Sequence, residues 1–125
     1  MQISHIMNRE VVCMTEADTI FAAWGKMKSH RIRHIPILDD NGRISGILSD
    51  RDIINAFAEM AGQQDMYAAL KDYMSIKPYC CTAKSTVKEV ARILIERKID
   101  SAPVIDENGF VTGIVTSTDF IKLAS

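Results

Sequence analysis

The sequence lacks a surplus of charge: fifteen lysines and arginines face sixteen aspartates and glutamates, for a formal net charge of -1. No broad field therefore draws the chain to nucleic acid or to an anionic membrane. Aromatic residues are sparse, at 6%, and do not cluster on one strand, which removes the stacking platform of a single-strand binder. Long apolar runs are missing too, the longest being five residues, and the N-terminal MQISHIMNRE has no basic segment ahead of a hydrophobic one. Neither a membrane span nor a signal peptide is readable, and the expected location is the cytoplasm.

Cysteine is scarce. Cys13, Cys80 and Cys81 are odd in number and lack a C-x-x-C spacing, and His5, His30 and His34 do not fall at ligand intervals near them. This argues against a disulfide framework and against a zinc or other metal site, and leaves reduced, partly buried thiols as the expectation. Catalytic signatures are missing as well: there is no Gly-x-Ser-x-Gly, no P-loop, no carboxylate pair beyond solvated turns, and no nucleophile partner for the histidines. The chain is not expected to be an enzyme. What remains, 125 residues with 47% hydrophobic and 25% charged, is the composition of an ordinary globular domain.

What is present is a repeat. Two halves align without a gap at a constant offset of 67, which pairs Met7 with Met74, Cys13 with Cys80, Thr19 with Thr86 and Pro36 with Pro103. The same register pairs Asn41-Gly42 with Asn108-Gly109, Gly46 with Gly113 and Asp52 with Asp119. Residues 1–61 form the first copy and 68–125 the second, with 62–67 as the linker. A unit of about 60 residues is marginal alone, so the copies are expected to share a core, to relate by a pseudo-two-fold axis, and to present their clefts in pairs.

Each copy reads as strand, helix, strand, strand, helix. Short apolar strands at Val11 to Met14 and Tyr79 to Thr82 precede helices at Thr19 to Arg31 and Thr86 to Lys98, in which Ile20, Ala23, Trp24 and Met27, and Val87, Val90, Ala91 and Leu94, fall at helical spacing. Strands at His34 to Leu38 and Ala102 to Ile105 run into Asn-Gly turns and return at Arg43 to Leu48 and Phe110 to Val115. Helices open at Ser49, to about Ala61, and at Thr116, to Leu123. The fold class is α/β, in the α+β two-layer sense, with helices segregated from a small mixed sheet in each β-α-β-β-α copy. Pro36 and Pro103 are expected at the start or edge of their strands. The acidic turn at Asp39-Asp40-Asn41-Gly42 lacks the later bidentate Glu of a calcium loop and reads as hairpin chemistry.

The words that can carry chemistry are Gly46-Ile-Leu-Ser49-Asp-Arg-Asp52 and Gly113-Ile-Val-Thr116-Ser-Thr-Asp119. Taken structurally, a hydroxyl followed three residues on by an acid is a capping box. Taken functionally, a helix N-terminus leaving a strand can hold a phosphate, and a carboxylate one turn in can accept from ribose hydroxyls. Ser49 and Thr116 would then meet phosphate, and Asp52 and Asp119 the sugar.

With these words, Ile6-Met7 and Tyr73-Met74, Arg33-His-Ile-Pro36-Ile and Asp100-Ser-Ala-Pro103-Val make nearly the whole chain resemble the cystathionine β-synthase (CBS) domain in its tandem form, the Bateman module. The resemblance implies a regulatory module that binds adenosine-containing ligands such as AMP, ADP, ATP or S-adenosylmethionine in its inter-repeat clefts, that commonly dimerises, and that needs no cofactor for catalysis. By position it implies ribose contacts at Asp52 and Asp119 and phosphate-side hydroxyls at Ser49 and Thr116. It also implies adenine contacts from the backbone around Ile35 and Ala102 and from the short strands at Cys13 and Cys80. Arg33, His34 and Arg51 are cationic where the second copy has Asp100, Ser101 and Thr118, so the cleft at Asp52 is expected to favour more phosphates. Each of these cations also has a plain reading as a solvated or surface-paired side chain.

Two functions follow as expectations. One is a free-standing sensor that signals to an unidentified effector protein through ligand-driven conformational change. The other is a dimerising scaffold whose clefts stay empty. The intact Ser49, Asp52, Thr116 and Asp119 favour the sensor.

Overall fold

The computed structural model describes residues 1–59 and 67–125. Of the expected linker only Tyr67 belongs to them, and the second helix is followed as far as Glu59. The chain divides into two compact units, Val12–Pro78 and Met1–Val11 with Tyr79–Ser125. These units do not coincide with the sequence copies, because each takes the segment leading into its sheet from the other copy.

In the unit Val12–Pro78, helix α1 (Ile20–His30) starts where the Thr19 hydroxyl accepts the Ala22 N–H at 3.1 Å. It ends at Arg31, whose left-handed φ of 55° turns its N–H back to the Met27 carbonyl. Ile20, Ala23 and Met27 form its buried stripe. Strands β2 (His34–Leu38) and β3 (Ile44–Ser49) form a hairpin with His34 opposite Ser49. The Asp39 carboxylate closes the turn by accepting the N–H groups of Asn41 at 2.8 Å and Arg43 at 3.1 Å, while Gly42 takes a φ of 78°. Strand β1 (Met14–Thr15) lies parallel to β2, and β4 (Ser75–Ile76) antiparallel to β3. The mixed sheet has the order β1-β2-β3-β4. Helix α2 (Asp50–Glu59) follows β3 directly and buries Ile53 and Ala56.

The other unit repeats the design. Helix α3 (Val87–Arg97) opens with a capping box between Thr86 and Glu89 and ends at Lys98, again at φ 55°. Strands β5 (Ser101–Ile105) and β6 (Val111–Thr116) pair around a turn in which Asp106 serves the N–H groups of Asn108 and Phe110. Gly109 has φ 85° there. Helix α4 (Ser117–Lys122) closes the chain. Single bridges, Cys81 beside Val104 and Asn8 beside Ile114, stand at the positions held by β1 and β4 in the first sheet.

Two expectations change. The first strands are shorter than Val11 to Met14 and Tyr79 to Thr82, and the prolines sit inside their strands rather than at the start, Pro36 opposite Ile47 and Pro103 opposite Ile114. One cause links both. Cys81 donates to the Pro103 carbonyl at 3.0 Å and accepts from Ile105 at 2.9 Å. The next rung of that parallel ladder needs an N–H on Pro103, which proline lacks. The proline thus ends the parallel ladder while leaving the antiparallel hairpin untouched.

The leading segments explain the division into units. A 3-10 turn at Leu70–Asp72 buries Leu70 beside Ile20, Ile53 and Ala56, with its N–H on the Asp18 carbonyl at 2.8 Å. The equivalent turn at Ile3–His5 buries Ile3 beside Val90, Leu94 and Val115, with its N–H on the Ser85 carbonyl at 2.8 Å. Each unit has its own core, and each core contains residues of both copies. No helix among the described residues is long and apolar enough to cross a membrane.

Candidate functional site

The β2–β3 hairpin gathers seven of the residues singled out above, most of them at its open end. His34 and Ser49 are cross-strand partners, and the Asp50 N–H donates to the Arg33 carbonyl at 2.9 Å, which holds the strand end against the start of α2. There the Ser49 hydroxyl accepts the Asp52 N–H at 3.1 Å and one Asp52 carboxylate oxygen accepts the Ser49 N–H at 2.8 Å. The capping box is therefore formed, and it fixes a half-buried hydroxyl and a half-buried carboxylate side by side at a helix N-terminus. Arg51 is exposed on the first turn. Ile35 is fully buried, its backbone included. Cys13 immediately precedes Met14, the partner of Ile37, and so lies alongside Pro36.

The β5–β6 hairpin repeats the arrangement. Ser101 faces Thr116, and Ser117 donates its N–H and hydroxyl to the Asp100 carbonyl at 2.9 and 3.2 Å. The Asp119 carboxylate accepts the Thr116 N–H at 2.8 Å and its hydroxyl at 3.4 Å. Thr118 is exposed, Ala102 is fully buried, and Cys80 lies alongside Pro103 next to the bridging Cys81. The two ends differ in residue type: Arg33, His34 and Arg51 stand at the strand and helix starts of one, Asp100, Ser101 and Thr118 at those of the other. Arg33 and Asp50 also form one wall of a groove of about 370 Å³ between Trp24, Lys28, Arg31 and Ile32.

The thiols are electrostatically quiet. Burial raises Cys13 and Cys80 above the usual thiol value and, with the neighbouring Cys80, pushes Cys81 up to about 11. None is an activated nucleophile. Among the described residues no three of His, Cys, Asp or Glu come together as a metal-holding group.

The glycine of each word serves packing. A Cβ on Gly46 would stand 2.6 Å from the Met74 sulfur and 2.8 Å from the Ser75 carbonyl, and one on Gly113 would stand 3.0 Å from the Met7 sulfur and 3.1 Å from the Asn8 carbonyl. The leading segment of the opposite copy lies against that bare backbone. The sequence reading missed this partnership, although Met7 with Met74 and Gly46 with Gly113 stand in the same repeat register. It also missed a cavity at the turn end of the β5–β6 hairpin, where Arg9 and Lys84 have no cationic counterparts in the other copy.

Comparison with known proteins places this geometry among relatives. The CBS domain family model matches residues 3–59 and 70–125. Hypoxic response protein 1 of Mycobacterium tuberculosis is 35% identical over 118 residues, which cover 94% of this chain and 80% of that protein. A crystal structure of hypoxic response protein I with two coordinated zinc ions is 32% identical, with a TM-score of 0.84 and 98% of each chain covered. The crystal structure of the CBS domain pair of protein MJ0100 in complex with 5-methylthioadenosine and S-adenosyl-L-methionine superimposes with a TM-score of 0.91, at 26% identity over 100% of both chains.

Proposed function

Because the chain belongs to the CBS domain family over both of its repeats, we propose that it is a regulatory module that binds adenosine-containing small molecules, signals to a partner protein, and performs no catalytic step. The observation that carries this reading is the pair of boxes: at two hairpin ends a hydroxyl and a carboxylate are fixed together at a helix start. Helix N–H groups and the hydroxyl suit a phosphate or another electron-rich substituent on the 5′ carbon. Each box uses one carboxylate oxygen of its aspartate, and a carboxylate accepts at two, which suits the ribose diol. The backbone at Ile35 and Ala102 and the residues Cys13 and Cys80 would meet the base. The ligands of the MJ0100 domain pair, a methylthioadenosine and S-adenosylmethionine, support an adenosine ligand here. Arg33 and Arg51, with the His34 imidazole next to Arg33 in sequence, favour the more phosphorylated ligand at the residues around Asp52.

The test is a thermal-shift panel of AMP, ADP, ATP with and without magnesium, S-adenosylmethionine, 5-methylthioadenosine, NAD and GTP, followed by calorimetry. A ligand at a hundredfold excess over its dissociation constant stabilises by about 2.7 kcal/mol. A selective shift with an adenosine ligand, lost when Asp52→Asn and Asp119→Asn are combined, supports the reading. No shift with any of them overturns it.

A dimerising scaffold is the second reading, and two observations favour it. The boxes cap the starts of α2 and α4 by themselves, so they have a structural use without a ligand. Ile95, Ile121 and Leu123 on and after α3 and α4 are 77%, 69% and 45% exposed, an apolar surface that a second copy would cover. Light scattering on the wild type and on Ile121→Lys measures whether this surface holds a homodimer.

A further inference from the structure

The cavity at the turn end of the β5–β6 hairpin, about 480 Å³, lies in a single unit and far from the capping boxes. The length of β5 separates it from Ser101 and Thr116 by about 13 Å. Met7, Ala83 and Ile105 give it an apolar lining, Arg9 and Lys84 bring two cations, and Asp106 and Glu107 bring two carboxylates. Its volume falls within the range of small-molecule sites.

The fold requires neither cation. The same hairpin, turn and leading segment are built in the other unit with Ile76 in place of Arg9 and Ala17 in place of Lys84. The cations are therefore additions to one copy rather than parts of the scaffold. Their surroundings say what they suit. The Arg9 guanidinium has one hydrogen bond, to the Ser4 carbonyl at 3.3 Å. The Lys84 ammonium and the Glu107 carboxylate make none among the described residues. Asp106 is held by its own turn through the N–H groups of Asn108 and Phe110. The Thr112 hydroxyl donates to the Val104 carbonyl at 3.3 Å, which leaves its lone pairs as acceptors on the cavity wall.

A polyphosphate would gain from Arg9 and Lys84 and be opposed by Glu107 and Asp106. A neutral apolar molecule would leave Arg9, Lys84 and Glu107 without a counterpart. We infer that this cavity is a second ligand site, for a compact zwitterion with an apolar body, the chemistry of a free amino acid with an aliphatic or aromatic side chain. Its carboxylate pairs with Lys84 and Arg9, its ammonium with Glu107 and the Thr112 hydroxyl, and its side chain lies on Met7, Ala83 and Ile105.

The experiment is calorimetry and thermal shift on the full chain with leucine, methionine and phenylalanine, each compared with its amide and its N-acetyl derivative, which lack one charge apiece. The free amino acid is expected to bind, and both derivatives to bind at least about tenfold more weakly, the loss of one charge-assisted contact. Lys84→Ala, which installs the residue of the other copy, and Glu107→Gln change exposed side chains and are expected to weaken binding by a similar factor at unchanged melting temperature. Asp52→Asn with Asp119→Asn is expected to leave it unchanged, which separates this site from the proposed adenosine sites. No binding by any free amino acid at millimolar concentration overturns the inference, as does equal binding of the N-acetyl derivative or full retention in Lys84→Ala.

Discussion

Adding one methyl group at Gly46 tests how the leading segments are held. The new Cβ would stand 2.8 Å from the Ser75 carbonyl, which must retreat by about 0.6 Å to reach the 3.4 Å of ordinary contact. That oxygen belongs to the β3–β4 ladder, so it moves only by disturbing the pairing of Gly46 with Ile76 and Ile47 with Ser75. The Met74 sulfur at 2.6 Å is closer still but ends a flexible chain and can swing aside. At Gly113 the corresponding carbonyl, that of Asn8, is 3.1 Å away and needs about half that movement. Overpacking costs about 1–3 kcal/mol, and alanine returns about 0.5–1 kcal/mol by restricting the unfolded chain. Gly46→Ala is then expected to lose a net ~2 kcal/mol and Gly113→Ala less than ~0.5 kcal/mol. For a chain of this size that is a fall in Tm of about 8 °C against one of about 2 °C at most. Thermal and urea unfolding of both variants measure the difference, and Met74→Ala in the Gly46→Ala background removes the soft contact alone. An equal loss at the two glycines, or full rescue by Met74→Ala, would refute the assignment of the cost to the carbonyl.

Other outcomes follow from the same geometry. Asp52→Asn keeps an acceptor for the Ser49 N–H and is expected to cost less stability than Asp52→Ala, which loses a box worth about 1 kcal/mol; paired unfolding curves check this, and calorimetry checks whether both abolish adenosine-ligand binding. Gly42→Ala forces a side chain onto a φ of 78° and is expected to cost at least ~1 kcal/mol in chemical denaturation. Cys81 has its folded pKa raised to about 11 from 9.0, so the stability it contributes is full below about pH 9 and is lost as pH rises towards 11. Melting temperature is expected to fall across that window, and less steeply in Cys81→Ala. In native protein at pH 8, alkylation is expected to reach Cys81 last, after the half-buried Cys13 and Cys80, as peptide mapping would read.

The local parts of this protein were legible in its sequence because local chemistry decides them. Thr19 and Thr86 start helices because their hydroxyls reach an N–H three residues on. Gly42 and Gly109 close hairpins because the backbone there needs a positive φ. Ser49 with Asp52 and Thr116 with Asp119 sit one turn apart, so a capping box follows from spacing alone, whereas the pairing of His34 with Ser49 and of Ser101 with Thr116 comes from the hairpin register of the structure. Contacts between distant segments were not legible. Nothing in the pattern of Ile3 or Leu70 selects which copy it packs on, since the two copies offer the same apolar surface in the same register. Chain connectivity and packing together chose the opposite copy for each, and with it the bare backbone at Gly46 and Gly113. The prolines read locally as strand ends, yet each lies inside a hairpin strand, because its missing donor faces the parallel neighbour. The charged cavity at Arg9, Lys84 and Glu107 belongs to the same class: its residues come from three separate stretches of chain, and only tertiary packing brings them onto one wall.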